Sequence, residues 1–536
     1  MRTDYIIVGG GSSASVMASR LVTAGHRVTI VERGPARARG LRRFYLPMPA
    51  AWMKGIGGSP VVEMHVPVPQ THLDGRAPAI GQAAMLGGGS SVNAMVYMRG
   101  QAQDYDDWDQ MLGQGSGWSH AQMLPHFRGM EHNHRFGAPF HGTDGPLHVS
   151  DPGAVADLTQ AFLLAAQEHG LPFNPDFNGA RQTGVGLMQT TTRNARRCSA
   201  VEAFLDPLAA DPRLTILTGS TVTRILIEDG RAVGVALRRD GQDMTLRAEA
   251  EVLLAAGSFA TPKLLMLSGI GPADHLRAHG LPVVADLAGV GQNLQDHHEV
   301  PVVAATRRPM GYFGQDKGWR MLRNGLQYLL FRSGPVASVG VEACAFVDPD
   351  GGDRPTLQMY CIPTVYLDGD VIGVRPTHGL TINACLLRPK ARGTVRLRSA
   401  DPWAQPLIDN NYLGDPDDLR LEIAGLRLAR DIMAAASLAG LLEKELLPGP
   451  EIADDAGLAA HCRRTVKTNW HPVGTARMGH PDDPLAVTDT RLRVLGVAGL
   501  RVIDCSAMPR IPSGNTNAPA MALASRAAAI VLGQSG

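Results

Sequence analysis

The chain has 536 residues, which is too long for one simple hydrophobic core, so we expect two or three domains. Its 51 basic and 50 acidic residues give a formal net charge of +1, and aromatic residues make up 5% of the chain. This balance provides no overall field for nucleic acid or anionic lipid, and few aromatics are available to stack on single strands. We therefore expect no nucleic-acid partner.

The six cysteines are widely spaced, without a CxxC pair or zinc-ligand spacing. This pattern is typical neither of a disulfide framework nor of a zinc ribbon, so we expect reduced thiols and a cytoplasmic location. The N-terminal residues enter a strand-like run at once and leave no room for a signal peptide. No run of about 18 or more apolar residues occurs, so we expect no integral membrane span.

The N-terminal segment has the order strand, glycine-rich turn, helix, strand. Residues 5–11, YIIVGGG, form a short apolar run that ends in glycines, as in a parallel strand buried on both faces. A helical pattern follows over residues 12–25, and residues 27–34, RVTIVERG, form a second apolar strand. This order predicts a βαβ unit.

The turn after the first strand carries the spacing Gly9-x-Gly11-x-x-Ala14. Gly9 permits a tight turn, Gly11 lets the backbone approach a pyrophosphate, and the small Ala14 lets helix and strand pack closely. The N–H groups that begin the helix, joined by the hydroxyls of Ser12 and Ser13, are expected to face the phosphates. The turn therefore predicts a dinucleotide site.

Two further features indicate which dinucleotide is bound. Glu32 ends the second strand 21 residues after Gly11, where a carboxylate accepts from ribose hydroxyls and repels a 2′-phosphate. The fingerprint alone is compatible with NAD and with FAD. A second glycine-rich loop, residues 85–100, contains Asn93 and favours FAD, since a flavin can use one loop for its pyrophosphate and another beneath its ring. A buried turn that caps a helix is the alternative interpretation of this loop alone.

The rest of the chain divides into segments of different pattern. Residues 34–81 lack sustained periodicity, and we interpret them as a long surface excursion. Residues 220–256 alternate as a hairpin and return to a buried strand, while residues 301–455 mix extended runs with helices. The C-terminal strand, loop and helix are expected to rejoin the N-terminal sheet.

We therefore predict an α/β FAD-binding domain of the Rossmann type, interleaved with an α+β substrate domain that carries an antiparallel sheet. The FAD-binding domain takes residues 1–150, 190–300 and 456–536. The substrate domain takes residues 151–189 and 301–455.

Six ordered stretches, spread nearly from end to end, resemble the glucose–methanol–choline (GMC) oxidoreductases, flavoproteins that oxidise alcohols. They are residues 4–21, 85–100, 255–272, 289–297, 469–479 and 500–528. Within the family, three other stretches look most like bacterial L-sorbose dehydrogenase: residues 173–200, 331–338 and 387–402. The loop at residues 86–93 is also similar to that of 5-hydroxymethylfurfural oxidase.

The resemblance implies a larger FAD site. Val222 matches the family's adenine contact, Asn93 lies beside the flavin, and Asp504 matches a residue near the pyrophosphate and the ribityl chain. Trp470 is expected to pack close to the flavin ring. The expected FAD-site residues are Gly9, Gly11, Ser12, Ser13, Ala14, Glu32, Leu86, Gly88, Ser91, Asn93, Ala94, Met95, Val222, Ala256, Trp470, Asp504 and Thr516.

Two places depart from the family pattern. The family usually has Gly and a basic residue before x-Leu-Gly-Gly, where this chain has Ala83 and Ala84, so a charge that compensates phosphate is missing. Members with a histidyl-linked flavin have His just before the loop Asn, where this chain has Val92. The resemblance therefore implies a non-covalent FAD.

His471, in the stretch NWHPVGTARM, is one of 18 histidines, and an isolated histidine is more often structural than catalytic. The resemblance changes this interpretation, because the family's base falls on His471 and its second catalytic position on Asn515, 44 residues further on. FAD takes the hydride, since no side chain is a competent acceptor. A neutral imidazole suits the hydroxyl proton, and the amide of Asn515 can hold the substrate oxygen.

Three other polar residues are candidates for a function. His297 and His298 lack an evident third metal ligand, so we expect hydrogen-bonded or solvated histidines and no metal site. Glu342 is a candidate pocket acid, with a structural carboxylate as the alternative interpretation.

The sequence thus predicts FAD-dependent oxidation of a small alcohol, primary and sugar-like or otherwise small, to the aldehyde or ketone. The electron acceptor is a quinone-like or dye-like carrier in a dehydrogenase and O2 in an oxidase. A hydroxynitrile lyase that keeps FAD, a non-catalytic flavin protein and an NAD(P) dehydrogenase are the alternatives.

Overall fold

A five-stranded parallel sheet forms the first layer of the protein. The computed structural model describes residues 2–56, 60–367, 369–371 and 373–534. The strands of this sheet, in spatial order, are Leu214–Leu217, Val28–Val31, Tyr5–Val8, Glu251–Leu254 and Leu500–Val502. The two N-terminal strands are buried along their whole length, which is why they read as continuous apolar runs. The helix Ser12–Thr23 connects them and confirms the predicted βαβ unit.

The C-terminus completes this layer, as the sequence predicts. The strand Leu500–Val502 pairs in parallel with Glu251–Leu254, and the helix Asn517–Val531 packs against Ser12–Thr23. The predicted hairpin is formed by Ser220–Glu228 and Arg231–Arg239; a third strand, Gln242–Arg247, extends it into a small sheet.

An antiparallel sheet forms the second layer and confirms the predicted α+β unit. Its strands, in spatial order, are Leu442–Leu447, His298–Thr306, Gly379–Leu386, Leu357–Ile362, Ala343–Val347 and Gly184–Leu187, with Lys467–Thr468 also paired to His298–Thr306. The helix Pro416–Ala434 packs on this sheet. The strand His298–Thr306 crosses residue 300, where the sequence places a domain boundary, and the domain boundaries stay a prediction.

The described part of residues 34–81 has many exposed residues, as predicted for a surface excursion, but it also carries short regular elements that the sequence does not predict. It contains the helices Arg42–Tyr45 and Trp52–Ile56 and the strand pair Val62–His65 with Ile80–Ala83. Trp52 is buried, and its Nε1 donates to Val339 O at 2.7 Å. Periodicity misses such a segment because its apolar residues pack irregularly against distant parts of the chain.

The remaining elements are short. The other α-helices are Ala102–Leu112, His120–Met130, Asp157–Glu168, Gly257–Leu267, Ala273–Ala278, Gly318–Phe331, Ala436–Ala439 and Asp455–Thr465. Two-stranded pairs join Glu131–Asn133 with Leu147–Val149, Thr192–Arg193 with Arg196–Arg197, Ile270–Gly271 with Ala285–Asp286, and Thr394–Arg396 with Leu407–Asp409. Within the described ranges, every helix is too short or too polar to cross a bilayer.

Candidate active site

A cavity of about 730 Å³ is lined by residues of both sheets and both glycine-rich loops. This volume is within the range of small-molecule and cofactor sites. Both predicted catalytic residues and most predicted FAD-site residues line it, namely Gly9, Gly11, Ser12, Ser13, Glu32, Gly88, Asn93, Ala94, Met95, Val222, Ala256, Trp470, His471, Asp504, Asn515 and Thr516.

Three predicted FAD-site residues lie behind the cavity wall. Ala14 is fully buried in its helix, as expected for a residue that allows close packing. Ser91 Oγ donates to Leu86 O at 2.9 Å within the second loop. Leu86 packs so closely on the first loop that a Cβ at Gly10 would lie 2.8 Å from its Cδ1. These three side chains therefore shape the loops from behind.

The two glycine-rich loops touch each other, and their contact requires glycine. Gly87 N donates to Gly10 O at 2.7 Å. A Cβ at Gly88, whose φ is +52°, would lie 2.8 Å from Gly11 Cα, and one at Gly9, whose φ is +95°, would lie 2.4 Å from Ala255 O. A larger residue at Gly88 would push the two loops apart, and one at Gly9 would push the first loop away from Ala255, so the glycines let the backbone of both loops reach one cavity.

Glu32 holds the first loop in place. Its Oε2 accepts from Gly10 N and its Oε1 accepts from Gly34 N, each at 2.7 Å, and the residue is buried on the cavity wall. The carboxylate keeps further lone pairs with which it can accept from ribose hydroxyls. Its role is thus both structural and suited to the predicted contact.

Asp504 caps the second helix that begins at the cavity. Its Oδ2 accepts from Gly257 N at 2.8 Å and from Thr261 Oγ1 at 2.7 Å, where the helix Gly257–Leu267 begins. Burial raises the pKa of this carboxyl above its ordinary value. With the helix that begins at Ser12, two helix N-termini therefore face the cavity, which suits an anionic pyrophosphate.

The hydroxyls of Ser12 and Ser13 donate to the C-terminal helix, and their predicted contact with phosphate stays a prediction. Ser12 Oγ donates to Asn517 Oδ1 at 2.7 Å, and Ser13 Oγ donates to Ala520 O at 3.2 Å. Both hydrogens are used to attach the C-terminal helix, because that helix packs on the same turn. Backbone N–H groups are left as the donors of this turn.

A chain of hydrogen bonds assigns the hydrogens on the ring of His471. The carbonyl oxygen of Leu387 can only accept and lies 3.0 Å from His297 Nε2, so that nitrogen carries a hydrogen. His297 Nδ1 is then an acceptor, and His471 Nδ1 donates to it at 3.0 Å. His471 Nε2 is left with its lone pair, toward which Asn515 Nδ2 donates at 3.3 Å.

Tyr360 fixes the orientation of the Asn515 amide. Its hydroxyl donates to Asn515 Oδ1 at 3.2 Å, which turns Nδ2 toward His471. Burial raises the pKa of Tyr360 well above its ordinary value, so the hydroxyl stays a donor. An imidazole lone pair and an amide N–H therefore converge at one point of the cavity.

Burial keeps both imidazoles neutral. Burial, followed by the proximity of His297, holds the pKa of His471 well below its ordinary value. Burial also lowers the pKa of His297 to about 3. His471 is therefore in its proton-accepting form at neutral pH.

Asp296 positions the backbone of His471. Its Oδ1 accepts from His471 N at 2.8 Å, and its Oδ2 accepts from Thr468 Oγ1 at 2.6 Å. Thr468 Oγ1 in turn accepts from Trp470 N at 2.7 Å, and Trp470 has the left-handed φ of +59°. This network, and not only the Trp-His-Pro sequence, holds the ring of His471 at the cavity.

The residues of the cavity fit FAD. Two glycine-rich turns, two helix N-termini and the carboxylate of Glu32 supply the contacts that a dinucleotide needs. The indole Nε1 of Trp470 is buried at the cavity wall and has no hydrogen-bond partner among the described residues. It is therefore a donor available to a polar group of a molecule bound in the cavity. Val92 lies in this wall and cannot form a covalent link to flavin.

Sequence reasoning missed three residues that support the site, Asp296, Tyr360 and Arg197, and it expected His297 only as a hydrogen-bonded or solvated histidine. Tyr360, His297 and Asp296 act through the contacts described above. Arg197 is buried, and its Nη1 donates to Asn93 Oδ1 at 2.8 Å and to Ser90 O at 3.1 Å. The NLQDH stretch was the available signal for Asp296 and His297, whereas no local pattern marks Tyr360 or Arg197.

Two of the other candidates lie outside the site. Glu342 is fully buried and accepts from Ala156 N, Thr159, Tyr312 and Ser338, so it is a structural carboxylate. His298 is buried and bonded to Glu422 at 2.7 Å.

Comparison with known proteins agrees with this geometry. GMC oxidoreductase family models match residues 3–299 and 389–524. The chain is 40% identical to an alcohol dehydrogenase [acceptor] of Pseudomonas putida, over 99% of this chain and 95% of that protein. It is 38% identical to an oxygen-dependent choline dehydrogenase of Sinorhizobium fredii, over 100% of this chain and 96% of that protein.

Solved structures share the whole fold. Pyridoxine 4-oxidase from Mesorbium loti superposes with a TM-score of 0.90 at 30% identity, over 100% of both chains. A formate oxidase from Aspergillus oryzae superposes with a TM-score of 0.90 at 25% identity, over 99% of this chain and 98% of that chain. The chain belongs to the GMC oxidoreductase family and is an FAD-dependent alcohol oxidoreductase.

Proposed function

We propose that this protein is a dehydrogenase that oxidises a small, neutral primary alcohol to the aldehyde, with His471 as the base. One observation carries the proposal: the lone pair of His471 Nε2 and the amide of Asn515, 3.3 Å away, meet at the cavity. FAD, when bound, accepts the hydride from the alcohol carbon.

His471 takes the hydroxyl proton at Nε2. His297 accepts the hydrogen on Nδ1 and so holds the productive tautomer. Burial disfavours an imidazolium here, so His471 takes the proton only as negative charge builds on the substrate oxygen and stabilises the imidazolium. Asn515 Nδ2 donates to that oxygen, and Tyr360 keeps the amide turned toward it.

The cavity wall supports a neutral substrate with an apolar substituent. Trp52, Val341 and Ile362 line the cavity and belong to one apolar cluster, against which Trp470 packs. The acid there, Glu299, accepts from Asn383 Nδ2 at 2.7 Å and lies 3.4 Å from Lys467 Nζ. Its charge is compensated within the protein, so a quaternary ammonium substrate gains little from it.

The named relatives support alcohols as the substrate class. The alcohol dehydrogenase [acceptor], which has the higher identity of the two, supports a carrier as the electron acceptor, whereas the names of the oxygen-dependent choline dehydrogenase and the two oxidases point to O2. The sugar-like substrate, the resemblance to L-sorbose dehydrogenase and 5-hydroxymethylfurfural oxidase, the non-covalent FAD and the cytoplasmic location stay predictions. The apolar wall favours an alkyl or aryl alcohol over a sugar.

Anaerobic mixing of the yellow holoenzyme with 1-hexanol, benzyl alcohol, choline and sorbose tests the substrate class. We expect the two neutral apolar alcohols to bleach the flavin at the lowest concentrations. Bleaching by choline or sorbose at equal or lower concentration would contradict the proposal, and an unbleached spectrum with every alcohol would favour a lyase. Parallel assays with a dye acceptor and with peroxide detection separate the dehydrogenase from the oxidase.

A further inference from the structure

Three histidines form a cluster at the strand pair Glu131–Asn133 and Leu147–Val149. His132 and His148 are register partners on these strands, and His134 follows His132 by two residues. One ring nitrogen of each histidine lies within 4.8 Å of those of the other two. His134 Nε2 and His148 Nδ1 are already 2.9 Å apart.

We propose that His132, His134 and His148 bind one divalent transition-metal ion, with Zn²⁺ as the first candidate. In a tetrahedral zinc site the Zn–N bonds are about 2.0–2.1 Å, which places ligand nitrogens about 3.3 Å apart. Small rotations of the three side chains reach that spacing. The ion replaces the hydrogen that His134 and His148 share, and a water takes the fourth position. None of these three histidines lines the FAD cavity.

Metal ligation requires the lone pair of a neutral imidazole, which histidine, with an ordinary pKa of about 6.5, offers at neutral pH. The charge of Arg193 opposes a bound cation, but this side chain is exposed and can turn into water. The sequence predicts no metal site; it places His132 and His134 two residues apart, and only strand pairing brings His148 to them.

Equilibrium dialysis of the EDTA-treated holoenzyme against ZnCl₂, with metal analysis, tests this site. We expect one zinc per chain in the wild type. His134→Ala or His148→Ala should raise the Kd for zinc about tenfold or more. His169→Ala, which removes an exposed histidine elsewhere, should bind zinc as the wild type does. Wild-type protein without stoichiometric zinc, or ligand variants that keep wild-type affinity, would overturn the proposal.

A second inference rests on the helix Gly318–Phe331, whose apolar side faces outward. Asn324 and Tyr328 are 1% exposed, and Tyr328 OH donates to Ala195 O at 2.9 Å. The opposite face carries large apolar side chains in helical spacing, and each is more than half exposed: Trp319, Leu322, Leu326, Leu329 and Leu330. This apolar stripe is the reverse of what water favours on a protein surface.

Basic residues surround the apolar stripe. Lys317, Arg320, Arg323 and Arg332 are exposed, and the sequence has no acidic residue between Asp316 and Glu342. The chain as a whole is nearly neutral, with a net charge of +1, but this segment is locally positive. A second copy of this chain would place the same cations face to face, which disfavours a dimer through this stripe.

We infer that the apolar stripe docks on the surface of a bilayer that contains anionic lipid. Trp and Leu side chains enter the boundary of the acyl chains, and the basic residues meet anionic headgroups. The exposed Leu41 and Phe44 belong to the segment before Pro49–Ala51, which packs on the Pro335–Ala337 turn that follows the helix. Lys54 also lies 3.5 Å from Asp316, so these two segments are neighbours.

Flotation of the holoenzyme with vesicles tests this surface. We expect binding to vesicles of equal parts phosphatidylcholine and phosphatidylglycerol, weaker binding to phosphatidylcholine alone, and release by salt. Leu326→Glu should lower the partition coefficient about tenfold or more. Leu164→Glu is the matched control, because Leu164 is 55% exposed and Leu326 is 58% exposed, both on helices.

Dye-linked turnover of both variants should equal that of the wild type, which checks folding. Wild-type protein that stays with the unbound fraction, or equal binding by Leu326→Glu, would overturn the inference. A wild-type dimer that Leu326→Glu converts to a monomer would assign the stripe to a second copy instead.

Discussion

His297 and His471 lie 174 residues apart in the chain, and their Nδ1 atoms are 3.0 Å apart. Because Leu387 O fixes the hydrogen of His297 on Nε2, His471 donates from Nδ1 and presents the lone pair of Nε2 to the cavity. A tautomer that the sequence leaves open is thus decided by a carbonyl on a third segment. His297 acts as a positioning residue for the base.

His297→Leu should slow anaerobic flavin reduction about tenfold or more without changing the Kd for FAD, because the base loses the partner that holds its tautomer. The lowering of the His471 pKa by His297 also disappears, so the acid limb of the pH profile moves to higher pH. Stopped-flow reduction across pH measures both effects. His297→Gln, which keeps an acceptor, should recover part of the rate; a His297→Leu rate and profile equal to the wild type would rule out this role.

Asn515→Asp should move the pH profile in a known direction. A carboxylate at the position of Nδ2, 3.3 Å from His471 Nε2, stabilises the imidazolium and raises the pKa of His471. As the pH falls, the proton-accepting form is therefore lost at a higher pH than in the wild type. Flavin reduction at neutral pH is expected to slow for this reason as well as for the lost amide donor. Asn515→Ala should slow reduction without moving the profile, and identical profiles for the two variants would argue against a direct contact.

Glu32→Ala should weaken FAD binding by about 1.5–3 kcal/mol, since a charged hydrogen bond to ribose is lost. The melting temperature should fall too, because the N–H groups of Gly10 and Gly34 lose their acceptor. Fluorescence titration of the apoprotein with FAD gives the Kd. Glu228→Ala, at an exposed hairpin site, is the control, and an FAD Kd unchanged by Glu32→Ala would remove Glu32 from the site.

Acid precipitation should release intact FAD into the supernatant. The basis is Val92 in the cavity wall, where a linking histidine would stand in members with covalent flavin. Absorbance of supernatant and pellet measures the distribution. Yellow colour that stays with the precipitated protein would contradict a non-covalent FAD.

The sequence predicts those features that are local or that repeat along the chain. Strand, turn and helix at residues 5–31 follow from apolar runs and glycine spacing, and both layers of the fold are confirmed. The resemblance to a family then selects His471 and Asn515, which the structure brings within 3.3 Å of each other.

The residues that support the base escape such reasoning because their contacts are made across the fold. Tyr360 reaches Asn515 from a strand 155 positions away, and Asp296 reaches the backbone of His471 over 175 positions. The same limit applies to residues 34–81, whose irregular apolar residues pack on distant segments. The spacing of residues along the chain therefore does not predict these long-range contacts.

The anaerobic rate of flavin reduction by alcohol, measured across pH for the wild type and His471→Ala, tests the role of His471 most directly. General base catalysis contributes about 10²–10⁴-fold, so the variant should bind FAD normally and reduce it more slowly by that order. Because burial holds the pKa of His471 low, the wild-type rate should be level near neutral pH and fall only at pH below the ordinary histidine value. That acid limb should be absent from His471→Ala. A variant that reduces its flavin at nearly the wild-type rate, with the same acid limb, would show that His471 is not the base.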